Sequence, residues 1–278
     1  MNEHMLAHAL ERLEEQTKPL WVVVALLLYG IEIGRIASTL NPLANLDQFL
    51  IEALSALSVP FGVILLQELF ELVATISENN LLSARRQFQI VLLVIVRSFF
   101  KSFAKLNGYV ADAEFSTTVQ EAVIKVVAII AFMFLIWYFR QMAESEYLKW
   151  YASQGGRANL IKQILVVLLI IVILVYQFGF AGGFETSQFI QLVFTGLIVI
   201  EALFLIISIW KGDFGRLVLE SSLVIALIFA RFPLFASNSL SYALSVMGIA
   251  FATIALFLFY RVSQSIAQGN MSASEHGE

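Results

Sequence analysis

Two glutamates, Glu68 and Glu71, stand within the apolar stretch LLQELFELV at residues 65–73. Their i,i+3 spacing places both carboxyl groups on one face of a helix. A carboxylate in apolar surroundings must be paired with a cation, protonated or hydrated. The two residues are therefore suited to carry protons or cations, to hold a basic side chain, or to line a polar interior.

Further charges occur at a similar depth in neighbouring apolar segments. Counted at ~1.5 Å per residue from the predicted ends of these segments, Glu32, Glu52, Arg97 and Lys125 lie within roughly one helical turn of the same depth, with Glu68 somewhat deeper. An isolated charge in a bilayer costs about 2.5–3.5 kcal/mol, so we expect these five residues to form one buried charge cluster. Glu68 and Arg97 are the predicted ion pair, because their segments are consecutive and antiparallel.

The predicted cluster has two interpretations that the sequence leaves open. Its charges nearly balance, which favours a structural lock that fixes the register of the helices. Ionisable residues inside a membrane are also frequent parts of proton, ion or substrate sites.

Composition excludes several other chemistries. The chain has no Cys, which rules out disulfides, thiolate nucleophiles and iron–sulfur clusters. Its three histidines, His4, His8 and His276, lie in the terminal segments, and the spacing of His4 and His8 fits a solvated helix face better than a metal site. The stretch GFAGGFETS at 179–187 lacks the Lys-Ser/Thr of a phosphate loop. We predict no metal, no cofactor and no enzymatic activity.

Transmembrane helices are the elements that must position these residues. The 278-residue chain is 59% hydrophobic and 14% charged, with a mean hydropathy of +0.83. Apolar runs of about 20 residues recur along it, which is the length that crosses a bilayer as a helix. We predict an all-α polytopic membrane protein with eight spans, at residues 20–40, 47–77, 87–105, 118–140, 160–179, 187–210, 214–232 and 239–262. The second span is too long for a straight crossing, and Pro60 is its predicted bend.

Three segments lie outside the predicted spans. Residues 1–19 are predicted to form a cytoplasmic amphipathic helix with leucines on one face. Residues 143–159 form a linker at the cytoplasmic interface, and the polar tail 264–278 is predicted to be disordered.

The distribution of Lys and Arg predicts the orientation. Eleven of the seventeen basic residues fall on one side of the membrane: Arg12, Lys18, Arg85, Arg86, Arg140, Lys149, Arg157, Lys162, Lys211, Arg216 and Arg261. That side should face the cytoplasm, so both termini are predicted to be cytoplasmic.

The chain also repeats itself at low similarity. The stretch ELFELVATISENN (68–80) aligns with EALFLIISIWKGD (201–213), which places Glu68 on Glu201. In the same order, IVLLVIVRSF (90–99) aligns with VIALIFARFP (224–233), which places Arg97 on Arg231. We predict two tandem four-span units, 20–142 and 160–263, related by an axis along the membrane normal.

Two further surface features bear on function. Lys101 and Lys105 follow Arg97 at steps of four, and they are expected to extend to the outer interface rather than to form an anion-binding vestibule. Gly30, Gly34 and Ser38 form a small-residue face that permits close helix packing, either within the chain or between copies of it.

Residues 20–142 combine Glu32 late in the first span with the stretches QELFELV, RRQF and IVLLVIVR. In these features the first unit resembles the phosphate-starvation-inducible PsiE family of small four-span bacterial membrane proteins. The resemblance implies a four-span fold in the bacterial inner membrane rather than a particular activity. The second unit has no acid that matches Glu32, so an activity that needs the full charge set would reside in the first half.

These observations favour a non-catalytic integral membrane protein that acts as an accessory, scaffold or regulatory subunit. Its expected partners are the lipid bilayer, further copies of itself or a larger membrane complex, and its net charge of −4 argues against nucleic acid. The alternative is an ion or small-anion channel or transporter that uses the buried charges.

Overall fold

The computed structural model describes residues 3–40, 45–75, 80–106, 113–143, 156–179, 186–210, 214–236 and 238–275. Within these ranges the chain is helical and contains no strand, as the apolar runs predict. The first half contains α1 (Glu3–Thr39), α2 (Leu46–Ala56), α3 (Ser58–Thr75), α4 (Asn80–Leu106) and α5 (Ala113–Ala143). The second half contains α6 (Gly156–Gly179), α7 (Thr186–Trp210), α8 (Phe214–Ala230), the single turn α9 (Phe232–Phe235) and α10 (Ser239–Glu275).

Five helical segments among the described residues are long and apolar enough to cross a membrane. They are Pro19–Thr39, Leu46–Leu72, Thr118–Ala143, Leu217–Phe235 and Ser239–Arg261. Shorter apolar segments, Ile164–Tyr176 and Gln188–Leu203, lie within α6 and α7. Large apolar side chains are exposed along α1, α5, α6 and α10, as expected of surfaces that face lipid. The chain is therefore a multi-pass membrane protein.

The predicted bend at Pro60 is a break between α2 and α3. Proline has no N–H to donate to the carbonyl group four residues earlier, so the helix loses a bond at this point. The Leu57 N–H instead donates to the Leu54 carbonyl oxygen at 3.2 Å, and the chain restarts as α3 at Ser58.

The helices at both ends of the described chain are longer than the sequence predicted. Helix α1 is continuous from Glu3 through Pro19 to Thr39, so the helix predicted at 1–19 and the helix of the first span are one helix over the described residues. Helix α10 continues to Glu275, whereas the tail was predicted to be disordered from 264. The tail contains no proline, so none of its residues removes a backbone donor from the helix that precedes it. Most of the predicted linker, at 144–155, lies outside the described residues.

Two apolar cores hold the helices together, and each combines helices from both halves of the chain. The first core lies between α4, α5, α8 and α10, with Phe88, Phe132 and Phe139 fully buried at its centre. The second core joins α3 to α6 and α7, through side chains such as Leu65 and Phe194. The two predicted units therefore pack through their cores and not only along their surfaces.

The first core requires a glycine where α8 and α10 cross. A Cβ atom at Gly248 would lie 2.6 Å from the Ala226 carbonyl oxygen and 2.8 Å from the Ala230 nitrogen. Both neighbours are backbone atoms, so the two helices approach at a distance that only glycine permits.

Candidate functional site

Polar side chains collect around the first turns of α4, where two adjacent residues face different neighbours. Successive helical residues point about 100° apart. Arg86 accordingly faces α3, while Gln87 faces α7 and the turn that follows α8. Helix α4 thus lies between two polar clusters, which we name after their arginines.

The Arg231 cluster consists of Ser83, Gln87, Glu201 and Arg231. Arg231 is 0% exposed and Glu201 is 5% exposed, and Arg231 Nη2 lies 3.3 Å from Glu201 Oε2. Gln87 connects the two, because its Nε2 donates to Glu201 Oε1 at 2.6 Å while its Oε1 accepts a hydrogen bond from Arg231 Nη2. Gln87 also lies 3.3 Å from the Ser83 hydroxyl group. One buried ion pair from the second half is therefore tied to the first half through an amide.

A helix break aims Arg231 into this cluster. Helix α8 ends at Ala230, and Arg231 forms a turn before α9, which carries Pro233 in its first turn. The missing N–H of proline favours this interruption. Arg231 Nη1 donates to the Phe194 carbonyl oxygen at 3.3 Å, and the guanidinium carbon lies 5.0 Å from the centre of the Phe194 ring. The arginine thus binds α7 through a carboxylate, a backbone carbonyl and an aromatic face.

The Arg86 cluster consists of Gln67, Glu68, Glu71 and Arg86. Arg86 Nη1 lies 3.2 Å from Glu68 Oε2 and 2.5 Å from Glu71 Oε2. Gln67 Nε2 donates to Glu71 Oε1 at 2.9 Å. The two glutamates of the apolar stretch therefore share one arginine, and the face that they form on α3 is turned towards α4.

The predicted pairing of Glu68 with Arg97 is not formed. In an antiparallel pair of helices, residues at equal distances from the connection face each other. Glu68 lies seven residues before the end of α3 at Thr75, and Arg86 lies six residues after the start of α4 at Asn80. Arg97 lies seventeen residues after that start, about 16 Å further along α4 at ~1.5 Å per residue.

The other members of the predicted five-residue cluster also have separate neighbours. Glu32 pairs with Arg35 on the same helix, where Arg35 Nη2 lies 2.5 Å from Glu32 Oε1, and the two side chains are 29% and 66% exposed. Glu52 is half-buried on α2 and interacts electrostatically with Arg35. These residues form a charge set on α1 and α2, away from the Arg86 cluster.

Lys125 is 3% exposed and links α5 to α4 and α10. Its Nζ donates to Ser102 Oγ at 2.6 Å and lies 6.0 Å from the centre of the Tyr242 ring. The Tyr242 hydroxyl group lies 3.3 Å from that of Ser98. A groove of about 370 Å³ lies between α4 and α5 beside the contact of Lys125 with Ser102. Its lining is almost entirely apolar, with Ser102 and Thr118 as its two hydroxyl residues.

Arg97 lies against Gly62 on α3. A Cβ atom at Gly62 would be 3.7 Å from the guanidinium carbon and 3.8 Å from both Nε and Nη2, so the flat face of the guanidinium group rests on the glycine. Arg97 Nε is buried and has no hydrogen-bond partner. The arginine that was predicted to close the first-unit ion pair is instead a half-buried cation.

The remaining predicted residues lie at the surface. Lys101 is exposed, while the side chain of Lys105 lies outside the described set. At Gly30 and Gly34 a Cβ atom would meet no described neighbour within 4 Å beyond the adjacent backbone of α1 itself, and Ser38 is exposed. Within the described residues, the small-residue face of α1 is therefore not used for packing.

Arg86 and Gln87 belong to the candidate site but were not predicted from the sequence. Arg86 could have been predicted, because Arg86 and Glu68 lie at nearly the same distance from the segment that connects α3 to α4. Gln87 carried no signal, because its partners come from the other half of the chain. No cluster of three acidic or histidine side chains that could hold a metal occurs among the described residues.

No family model matches this chain, and neither the curated proteins nor the solved structures give a match.

Proposed function

We propose that this protein is a non-catalytic integral membrane module, an accessory, scaffold or regulatory subunit whose polar clusters lock its helices in register. The observation that carries the proposal is the Arg231 cluster. An ion pair that is almost completely buried is joined through Gln87 to a helix of the other half. Buried polar residues of this kind specify which helices pack together.

The arrangement of the apolar cores supports a rigid module. Alternating access by rocking requires two bundles that separate at their interface. Here that interface contains the fully buried Phe88, Phe132 and Phe139, which pack with α8 and α10. Opening it would expose these side chains together with the Arg231 cluster.

The finer architecture belongs to the same proposal. We place eight spans in the bilayer, with α4, α6 and α7 crossing beside the five segments of clear length, and both termini in the cytoplasm of a bacterial inner membrane. The two halves descend from a duplicated four-span unit of the PsiE type. This is supported by the packing of α4 and α5 on α8 and α10, because these are the third and fourth spans of each predicted unit.

The partner is either another copy of the chain or a separate membrane protein. The support is the uncovered face of α1 around Gly30 and Gly34, which leaves room for a helix to approach closely.

Transport of an ion or small anion is the second candidate, and one observation favours it. Two helix breaks within the described apolar segments have an arginine nearby. The break at Leu57 lies five residues from Gly62, on which Arg97 rests. The other break is at Arg231 itself. Interrupted helices are common at the binding sites of transporters.

Reconstitution separates the two candidates. The wild-type protein, Arg231→Gln and the surface control Arg35→Gln would be placed in vesicles, and the movement of protons, potassium, chloride and sulfate would be recorded. We expect no flux above protein-free vesicles, and recovery of the wild-type protein from native membranes in a mild detergent as a stoichiometric assembly. Flux through the wild-type protein that persists in Arg35→Gln would establish transport and refute the module, and its loss in an Arg231→Gln protein that is shown to be folded would make Arg231 part of the path.

A further inference from the structure

Arg97 has no ion pair among the described residues, unlike three other arginines of the chain. Arg35, Arg86 and Arg231 each lie within 3.3 Å of a carboxylate oxygen. Within the part of the chain that the structure describes, Arg97 has neither an ion pair nor a hydrogen bond from its guanidinium group, and its Nε is buried. It lies nine residues before the end of α4 at Leu106, about 14 Å from that end at ~1.5 Å per residue.

A permanently charged guanidinium group at this depth requires a counter-charge. Arginine stays protonated under all physiological conditions. Inside a membrane, basic side chains almost always pair with an acid, with carbonyl groups or with water in a cavity. No residue that the structure describes pairs with Arg97, so an anion from outside the chain can supply the counter-charge.

The surroundings of Arg97 leave one part of the group available. Its flat face is covered by Gly62, where a Cβ atom would still be in ordinary van der Waals contact with the guanidinium group. One turn further along α4, Phe100 stacks on Phe61 with 5.2 Å between the ring centres, which closes the space between α3 and α4 on that side. The N–H groups point along the edge of the guanidinium plane, and this edge is not bonded to any described residue.

We infer that Arg97 binds an oxyanion between α3 and α4, through the edge of its guanidinium group. Two parallel N–H donors match two oxygen atoms of a carboxylate, sulfate or phosphate group. The source is either a free oxyanion or the phosphodiester of a lipid headgroup, since both offer the same pair of oxygens. The inference rests on the proposed crossing of the bilayer by α4, but not on the choice between a module and a transporter, because either can hold such an anion.

Thermal unfolding in detergent tests the inference. The protein, freed of lipid, would be titrated with sulfate up to about 10 mM against sodium chloride of equal ionic strength, because higher sulfate stabilises proteins nonspecifically. We expect the unfolding temperature of the wild-type protein and of Arg35→Gln to rise with sulfate. Since a hydrogen bond to a charged group contributes about 1.5–3 kcal/mol, Arg97→Gln should need roughly 10- to 100-fold more sulfate for the same shift.

Two further measurements separate the source of the anion and guard against misfolding. The protein would be compared in nanodiscs of phosphatidylglycerol and of phosphatidylcholine. The lipid headgroup is the ligand if phosphatidylglycerol stabilises the wild-type protein but not Arg97→Gln, and if sulfate has no effect. In sulfate-free detergent, Arg97→Gln should unfold no lower than the wild type, because it removes an uncompensated charge. If Arg97→Gln does not fold, Gly62→Leu, which displaces the guanidinium group, should lose the response while Gly62→Ala keeps it.

A response that persists in Arg97→Gln overturns the inference, as does the absence of a response to both sulfate and phosphatidylglycerol. A misfolded Arg97→Gln together with an unchanged response in Gly62→Leu also overturns it, since Arg97 would then be structural.

Discussion

We expect the Arg231 cluster to contribute most to the stability of the fold, and methionine substitutions can measure that contribution. Methionine has a long, flexible apolar side chain that fills the space of either charged residue. The set consists of Arg231→Met, Glu201→Met and the double variant. The exposed pair Glu32 and Arg35, replaced in the same way, serves as the matched control.

The expected magnitudes follow from burial. In Arg231→Met the carboxylate of Glu201, 5% exposed, loses its cation, and Gln87 loses the partner of its Oε1. Removing one member of a buried ion pair costs about 3–5 kcal/mol, because the other charge is left without compensation. We expect a similar loss for Glu201→Met. The double variant leaves only the amide of Gln87 unsatisfied, which costs about 1–3 kcal/mol, so the two losses should be far from additive.

The free energy of unfolding would be measured in mixed micelles by titration with a denaturing detergent, with tryptophan fluorescence as the signal. The double variant should be more stable than either single variant, and the control pair should change stability much less than either. Single variants within about 1 kcal/mol of the wild type, or a double variant at the sum of both losses, would show that the ion pair does not determine the packing of the halves.

Three other predictions concern the helix crossing, the Arg86 cluster and the topology. Gly248→Val should destabilise the protein by about 1–3 kcal/mol or more, because its Cβ would lie 2.6 Å from the Ala226 carbonyl oxygen. The control Gly34→Val, with no neighbouring helix within 4 Å, should unfold like the wild type. Equal losses of stability in the two variants would refute the close crossing of α8 and α10. Arg86→Gln should cost about 1.5–3 kcal/mol, with partial recovery when Glu71→Gln is added, because the two carboxylates lose the arginine that they share. An unfolding titration that shows no recovery would contradict this. A reporter that is active only in the cytoplasm, fused after Glu278, should be active, and an extracytoplasmic result would reverse the proposed orientation.

The helical class and most helix positions were predictable, because they depend on local chemistry. Apolar run length identifies the helices, and the missing N–H of Pro60 locates the break between α2 and α3. The burial of Glu201 and Arg231 was also predictable, since both stand within apolar runs.

The composition of the site was not predictable in the same way. The depth of each charge, counted from the ends of its own span, places Glu68 near Arg97. Counting from the shared connection would have identified Arg86. The partners of Gln87, in contrast, depend on how the two halves pack, and no local pattern encodes that arrangement.

The shared cores have a consequence for biogenesis. Helices α4 and α5 leave the ribosome long before α8 and α10, yet Phe88, Phe132 and Phe139 obtain their final neighbours only when those later helices have been inserted. Until then these rings lack the side chains of α8 and α10 that cover them. Membrane integration of the early helices and completion of the folded state are therefore separate events, and a nascent chain that stalls between them presents an open bundle to membrane proteases.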